Sequence, residues 1–223
     1  MRFGRYVVVI GTCMLMSSCA TLNNASQYQL RNDRYEFRQP GGRYTKVYVS
    51  VKEDTVSVTP IGKNATNAKA IQPGTDELFR KRSFDLDVLV VPFKYRPSSY
   101  GFPRQLNTDF NGNIFLGYRL DRFQVHFSKT PVGLDKQMRH RAVTAGIFGG
   151  FGSASISPST TNYGTIDSYN GFILSRGLAI MMGVNNLTVG VGVGWDYLTD
   201  RDKNIWIYQN KSWVGLILSL NLN

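Results

Sequence analysis

Two segments within residues 184–223 alternate between apolar side chains and small or polar ones. From Leu187 to Tyr197 every odd position is apolar, and the even positions are Thr, Gly and Asp. From Val214 to Leu222 the even positions are Val or Leu and most odd positions are Gly, Ser or Asn. A period of two predicts β-strands with two different faces. One face of each strand carries mainly Val and Leu, and the other carries mainly Gly and Ser. This pattern favours a transmembrane β-barrel whose apolar face contacts lipid.

Similar alternation begins at Phe84, so we predict an all-β fold with an antiparallel barrel over residues 84–223. Further strands are predicted over residues 84–95, 113–120, 123–127, 143–151 and 170–184. If Asp121-Arg122 and Ser175-Arg176-Gly177 are turns, this region alone supplies eight strands. If they are not, it supplies six, and a hairpin at 46–61 adds two. Both arrangements predict an eight-stranded barrel, which is the lower limit for such proteins.

The N-terminus has the organisation of an export signal. Arg2 and Arg5 precede an apolar run from Tyr6 to Met16, which at roughly ten residues is too short to span a bilayer. Met16-Ser17-Ser18-Cys19 resembles a bacterial lipobox. We therefore predict a signal peptide at 1–18 and lipidation of Cys19, which labelling with palmitate would detect. The alternative is an ordinary signal peptide with an incidental cysteine. Cys13 would leave with the signal, which excludes an internal disulfide in the mature chain.

Between the anchor and the barrel we predict three segments. Residues 19–26 are a small, polar tether, and 27–61 form a small periplasmic β module of hairpins with bends at Asn32-Asp33 and Glu53-Asp54. Residues 62–83 are a linker that ends in Arg80-Lys81-Arg82. These cations are predicted to be a solvated loop, the alternative being contact with lipid headgroups. No acidic run follows Cys19, which favours an anchor that faces the periplasm.

Charge and hydropathy narrow the class of partner. The formal net charge is +11 and becomes +9 when Arg2 and Arg5 are removed with the signal. A basic chain is attracted to nucleic acid, anionic lipid or lipopolysaccharide phosphates, and export excludes nucleic acid. Only 42% of the residues are hydrophobic, and no segment after Cys19 is apolar for long enough to form a spanning helix.

Aromatic residues and interior charges are the candidate site residues. Large aromatics around residues 200–204 are predicted to lie at the membrane interface: Trp195, Tyr197, Trp206 and Tyr208. Trp213 is out of phase with them. A polar network is predicted to close the lumen, formed by Arg119, Asp121, Arg176 and Asp196, with Asp85 and Asp87 as further members. No metal-ligand spacing and no nucleotide motif is present, so we expect no metal and no cofactor.

An enzymatic alternative depends on the histidines. His126 is predicted to face the lumen within reach of Arg119 and Asp121, with Ser128 on the same face as a candidate nucleophile. Such an enzyme would be an outer-membrane lipid hydrolase or acyltransferase. No partner motif fixes this arrangement. His140, between two arginines, is predicted to be a solvated turn residue.

The C-terminal region resembles a known family. The segments that carry the resemblance are 184–190, Gly194-Trp195-Asp196, 206–213 and 220–223. They are similar to small, mostly uncharacterised outer-membrane β-barrel proteins of Bacteroidetes, with a looser likeness back to Phe84. The resemblance implies a fold and a location and implies no reaction.

Together these observations predict a non-enzymatic outer-membrane β-barrel lipoprotein with a structural role or an accessory role in an envelope complex. Its expected partners are outer-membrane lipid, lipopolysaccharide and envelope proteins. The competing hypothesis is a soluble, lipid-anchored β-sandwich whose loops bind a glycan or a protein. The two differ in whether the apolar faces of the strands contact lipid.

Overall fold

The computed structural model describes residues 29–39, 41–52, 55–62, 69–70, 76–99, 101–131, 133–184 and 187–221. The predicted signal peptide, Cys19 and the tether lie outside these residues. Within them the chain is all-β, and no helix is long and apolar enough to cross a membrane.

All strand pairings are antiparallel, and most of them join strands that follow one another in the chain. Their bounds are β1 Asp33–Arg38, β2 Thr45–Lys52, β3 Thr55–Pro60, β4 Lys69–Ala70, β5 Asp76–Arg96, β6 Gln105–Asn107, β7 Asn111–Thr130, β8 Gly133–Ile156, β9 Tyr169–Val184, β10 Leu187–Leu198 and β11 Ser212–Asn221. Short 3-10 turns at Ser159–Thr161 and Arg201–Asn204 lie in the loops.

Six strands form a ring at one end of the sheet. β5, β7, β8, β9, β10 and β11 pair in this order, and β11 then pairs with β5. The β5–β11 pairs extend from Asp87 to Tyr95 with one register shift. The ring is partial, because beyond the β11 pairs the same edge of β5 pairs with β1 at residues 78–80. We call the ring the upper half of the molecule, and its loops 97–110, 157–168 and 199–211 are the upper loops.

The lower half is a curled sheet with its own apolar core. The lower ends of β5, β7 and β8 continue out of the ring, and β1, β2, β3 and β4 extend the sheet from β5. Their inner faces bury a cluster made of Leu30, Tyr35, Val47, Val49, Val56, Val58, Phe79, Phe123 and Val125. Of the predicted β module, the β2–β3 hairpin is confirmed, and β1 joins it to β5 in the same sheet.

The predicted count of eight barrel strands is wrong. Asp121-Arg122 lies inside the continuous strand β7, and residues 175–177 lie inside β9, so neither is a turn. Residues 84–223 therefore supply the six ring strands, as in the second of the two arrangements. The β2–β3 hairpin does not complete the ring, because it joins the sheet through β1 in the lower half.

In the sequence, the apolar positions of β7 change from even numbers up to Leu120 to odd numbers from Phe123 onward, which predicts a turn or a β-bulge. The strand has neither. Its odd positions are buried both in the ring, as at Phe115 and Arg119, and in the lower half, as at Phe123 and Val125. What changes is the environment outside the strand: the even positions are apolar in the upper half and become Arg122 and Gln124 below. The odd-numbered face therefore stays inward along the whole strand. Below Asp121 this inner face becomes apolar, and the outer face becomes charged or polar.

Two predictions for the N-terminal part are also wrong. β5 starts at Asp76, so residues 76–83 of the predicted 62–83 linker belong to a strand, and Arg80-Lys81-Arg82 is not a solvated loop. Arg80 pairs with Glu36, and Lys81 lies 2.5 Å from Asp33, because β1 lies alongside β5. For the same reason β1 pairs with β2 and β5 and forms no hairpin around Asn32-Asp33.

Side chains fill the interior of the ring. Leu89, Val91, Phe115, Phe148, Ala179, Met181, Trp213 and Ile217 form its buried apolar cluster. Glycines on the inner face leave the space for the largest of these side chains. A Cβ atom at Gly194 would lie 2.3 Å from the ring of Trp213, and one at Gly177 would lie 2.4 Å from the ring of Phe148. The alternating glycines of the sequence are therefore the complement of the interior aromatics.

We expect Gly194→Ala to lower the free energy of unfolding by about 1–3 kcal/mol, because the buried Trp213 has no room to move away from the new methyl group. Urea unfolding followed by tryptophan fluorescence measures this. Gly112→Ala is the matched control, since nothing lies within 4 Å of a Cβ atom there. Equal stability of the two variants would contradict the proposed packing of Trp213 against Gly194.

Candidate functional site

The outer surface of the ring is apolar and exposed. We call this surface the apolar band. Its large exposed members are Phe84, Leu86, Val88, Val90, Phe93, Tyr95, Ile114, Leu116, Tyr118, Val143, Ile147, Phe151, Phe172, Leu174, Leu178, Ile180, Met182, Val189, Val191, Val193, Tyr197, Val214, Leu216 and Leu218. Monomeric soluble proteins rarely expose apolar patches beyond a few hundred Å². The band is therefore a candidate contact surface for lipid or another apolar partner.

The height of the band is set by where polar residues replace apolar ones. Its lower limit lies at Phe84 of β5 and Val143 of β8, beyond which the outward positions are charged or polar and exposed. These positions are Arg82, Arg122, Gln124, Arg139 and Arg141. A hydrocarbon layer of about 25 Å corresponds to about ten residues of a strand tilted by about 40°. The outward faces of β5, β9 and β10 are apolar over about this length, apart from Arg176 in β9.

The predicted interface aromatics divide into two pairs. Trp195 and Tyr197 lie at outward positions near the upper end of β10, as predicted, although Trp195 is half-buried. Trp206 and Tyr208 are buried in the upper loop that follows β10, so their predicted position on the outer face is wrong. β11 starts only at Ser212, and the loop folds inward over the upper end of the ring.

Further outward aromatics, which were not among the predicted interface residues, lie near the limits of the band. They are Phe84 and Tyr118 at the lower limit, and Phe93, Tyr95, Phe151 and Phe172 towards the upper limit. Their alternation with inward residues along each strand is a signal in the sequence that places them on the outer face. For Phe93 and Tyr95 the phase of β5 changes at Pro92, where the pairing with β11 shifts register.

A buried charge cluster lies inside the upper end of the ring. Asp196 is fully buried, and its carboxylate accepts hydrogen bonds from Lys94 Nζ at 3.2 Å, from Ser175 Oγ at 2.6 Å and from Arg96. Trp213 lies under Lys94, with 4.6 Å from Nζ to the ring centroid. This upper cluster confirms an interior position for Asp196 and adds two cations, which the phase change at Pro92 turns inward.

Aromatic side chains of the upper loop cover this cluster. The guanidinium of Arg96 lies 5.0 Å from the ring centroid of Tyr208 and 5.4 Å from that of Trp206. A cation over an aromatic face is stabilised by the ring quadrupole, more so when both are desolvated. Burial raises the pKa of Tyr208, so its hydroxyl stays protonated. The loop therefore closes the upper end of the ring.

A second charge cluster closes the lower end of the ring. Arg119 lies between Asp121 and Asp85, at 3.0 Å and 3.5 Å, and Thr144 Oγ1 donates a hydrogen bond to Asp85 at 3.0 Å. His140 Nε2 lies 2.7 Å from Asp121 Oδ1. In a separate contact, Ser219 Oγ donates a hydrogen bond to Asp87 at 2.8 Å. The predicted interior positions of Arg119, Asp121, Asp85 and Asp87 agree with the structure.

Arg176, predicted to line the lumen, lies on the opposite face. In β9 the inward positions are odd, so Arg176 points outward with Leu174 and Leu178 while Ser175 points inward to Asp196. The two predictions for histidine are also reversed. His126 occupies an outward position of lower β7, on the face opposite Arg119 and Asp121. His140 is buried and stacks on Phe123, with 4.5 Å between the ring centroids.

A polar cavity of about 310 Å³ lies at the junction of the two halves. Its lining includes Arg31, Tyr35 and Lys81 from the lower half and Asp85 and Arg119 from the lower cluster. Burial raises the pKa of Tyr35, whereas a hydrogen bond from Lys81 lowers the pKa of Asp33. The described residues contain no group of three or more side chains suited to hold a metal ion.

No family model, no curated protein and no solved structure matches this chain.

We expect Asp196→Asn to lower the free energy of unfolding by about 3–5 kcal/mol, because it leaves the buried cations Lys94 and Arg96 without a counter-charge. Asp167→Asn is the control, since Asp167 pairs with Arg201 at 3.1 Å on the exposed surface and such pairs contribute about 0–1 kcal/mol. Urea unfolding of both variants measures the difference. A small effect at Asp196 would show that its cluster does not stabilise the ring.

Proposed function

We propose that the chain is an outer-membrane lipoprotein whose six-stranded ring spans the hydrocarbon layer, with a structural or accessory role in the cell envelope. One observation carries the proposal: the polarity of the strands reverses where they leave the ring. In the upper half the outside is apolar, and the inside holds buried charge clusters above and below an apolar cluster. In the lower half the inside is apolar and the outside is charged or polar. Hydrocarbon around the upper half and water around the lower half account for both.

The soluble β-sandwich alternative leaves the apolar band without a partner. A strand that faces water carries polar residues outside, as β7 does at Arg122 and Gln124. The same strand carries Ile114, Leu116 and Tyr118 on this face in the upper half. Because one continuous strand shows both patterns, the change of pattern reflects a change of surroundings and not a different kind of element.

A structural or accessory role fits the filled interior better than a pore. The apolar cluster occupies the middle of the ring, and ion-paired clusters lie above and below it. Six strands are fewer than the eight of the smallest bacterial outer-membrane barrels. The smaller ring encloses no more than its own side chains. The hydrolase or acyltransferase hypothesis loses its proposed site, since His126 lies away from Arg119 and Asp121.

The anchor and the lower half are proposed to lie on the periplasmic side. Lipid on Cys19 would attach the chain next to β1 and the lower sheet, and the upper loops would then face the cell exterior. The resemblance to Bacteroidetes outer-membrane proteins stays a prediction that agrees with this location. Outer-membrane lipid, lipopolysaccharide and an envelope protein complex remain the proposed partners, with no nucleic acid.

A charge introduced on the apolar band tests the proposal. In a Cys19→Ala background, we expect Ile180→Arg to reduce the folded, carbonate-resistant fraction in the outer membrane, because an arginine costs about 2–4 kcal/mol at the bilayer midplane. Ile180 is 57% exposed on the outer face of β9. Heat-modifiable migration and alkaline carbonate extraction measure this fraction.

Gln124→Arg is the control, because Gln124 is an exposed outward residue of β7 below the band. It should leave the membrane fraction unchanged. In a soluble protein Ile180→Arg would be tolerated or would improve solubility. If Cys19→Ala alone yields a folded chain that needs no detergent, the membrane-spanning ring is wrong and the lipid alone held the protein.

A further inference from the structure

The described part of the apolar band contains one charged side chain, Arg176. It lies six positions above Met182, which pairs with Val143 at the lower limit of the band. At about 2.5 Å of height per residue this is about 15 Å above that limit, and Phe172 of the band lies four positions further up. Arg176 therefore lies in the upper part of the band, from which its long side chain can extend the guanidinium towards the lipid headgroups.

The neighbours of Arg176 form a groove on the outer face. Trp195 of β10 and Gly149 of β8 lie directly opposite Arg176 on the two sides. A groove of about 600 Å³ is lined by Ile147, Phe148, Arg176, Gly177, Leu178, Trp195 and Asn210. Gly149 opens it, since a Cβ atom there would have only one neighbour within 4 Å, at 3.8 Å. We call this the Arg176 groove.

In the groove the positive charge of Arg176 lies next to apolar side chains, and no carboxylate forms an ion pair with it among the described residues. None of the ion pairs among the described residues includes Arg176. Asp196 is close along β10, but its carboxylate points into the ring, where Lys94 and Arg96 neutralise it. An arginine on an apolar surface is costly unless an anion pairs with it.

We propose that the Arg176 groove binds an anionic membrane lipid, with Arg176 on the lipid phosphate and an acyl chain along Ile147 and Leu178. This inference rests on the proposed function, since it requires the apolar band to face lipid. The planar guanidinium donates two parallel hydrogen bonds to phosphate oxygens, which suits this anion better than a point charge. Trp195 is amphipathic and lies directly opposite Arg176 on β10, so it lines the same part of the groove.

Quenching by brominated lipids tests the groove, because Trp195 lines it. The full chain is folded into phosphatidylcholine bilayers that contain a small fraction of either dibrominated phosphatidylglycerol or dibrominated phosphatidylcholine. For the native chain we expect an apparent preference for phosphatidylglycerol of about fivefold at low salt, the equivalent of about 1 kcal/mol for one arginine near the surface. Salt should reduce the preference.

Arg176→Gln should abolish this preference while quenching by both lipids persists. Arg139→Gln, which removes an exposed cation at the lower limit of the band, should retain it. The groove proposal is overturned if Arg176→Gln keeps the preference or if Arg139→Gln loses it equally. If neither brominated lipid quenches the native chain, the band does not face lipid, and the proposed function itself fails.

Discussion

The return of β11 to β5 is the constraint on which the upper half depends. Once six strands form a ring, the inner face has room for few large side chains, so most inward positions next to an aromatic must be glycine. Gly194 beside Trp213 and Gly177 beside Phe148 are the clearest cases. Because the inside is full, the remaining apolar side chains are on the outside, where they need an apolar environment.

The buried charges follow from the same geometry. Polar groups at the two ends of the ring are removed from water by the upper loop and by the lower sheet, so each must find partners inside. Asp196 binds two cations and a hydroxyl, and Arg119 binds two carboxylates. These clusters specify how the ends of neighbouring strands meet, and they close the interior to solutes.

Because of the lower half, the outer surface changes along the shared strands from apolar above to charged and polar below. β5, β7 and β8 are shared by the ring and the lower sheet, so the two halves form one continuous sheet and not two domains joined by a linker. Arginines follow the apolar band below its lower limit, and a single arginine, Arg176, lies within its upper part.

The sequence by itself determined the all-β class, the β2–β3 hairpin, the two-faced ring strands and the inward positions of Arg119, Asp121 and Asp196, because alternation with a period of two is a local property of the chain. Only the tertiary structure decided the number of ring strands, since a strand that crosses between two environments reverses its pattern without turning, as β7 does at Asp121. It also decided the positions of Arg176, His140, Trp206 and Tyr208. Which face of a strand is inward, and which way a loop folds, depends on partners that are distant in the sequence.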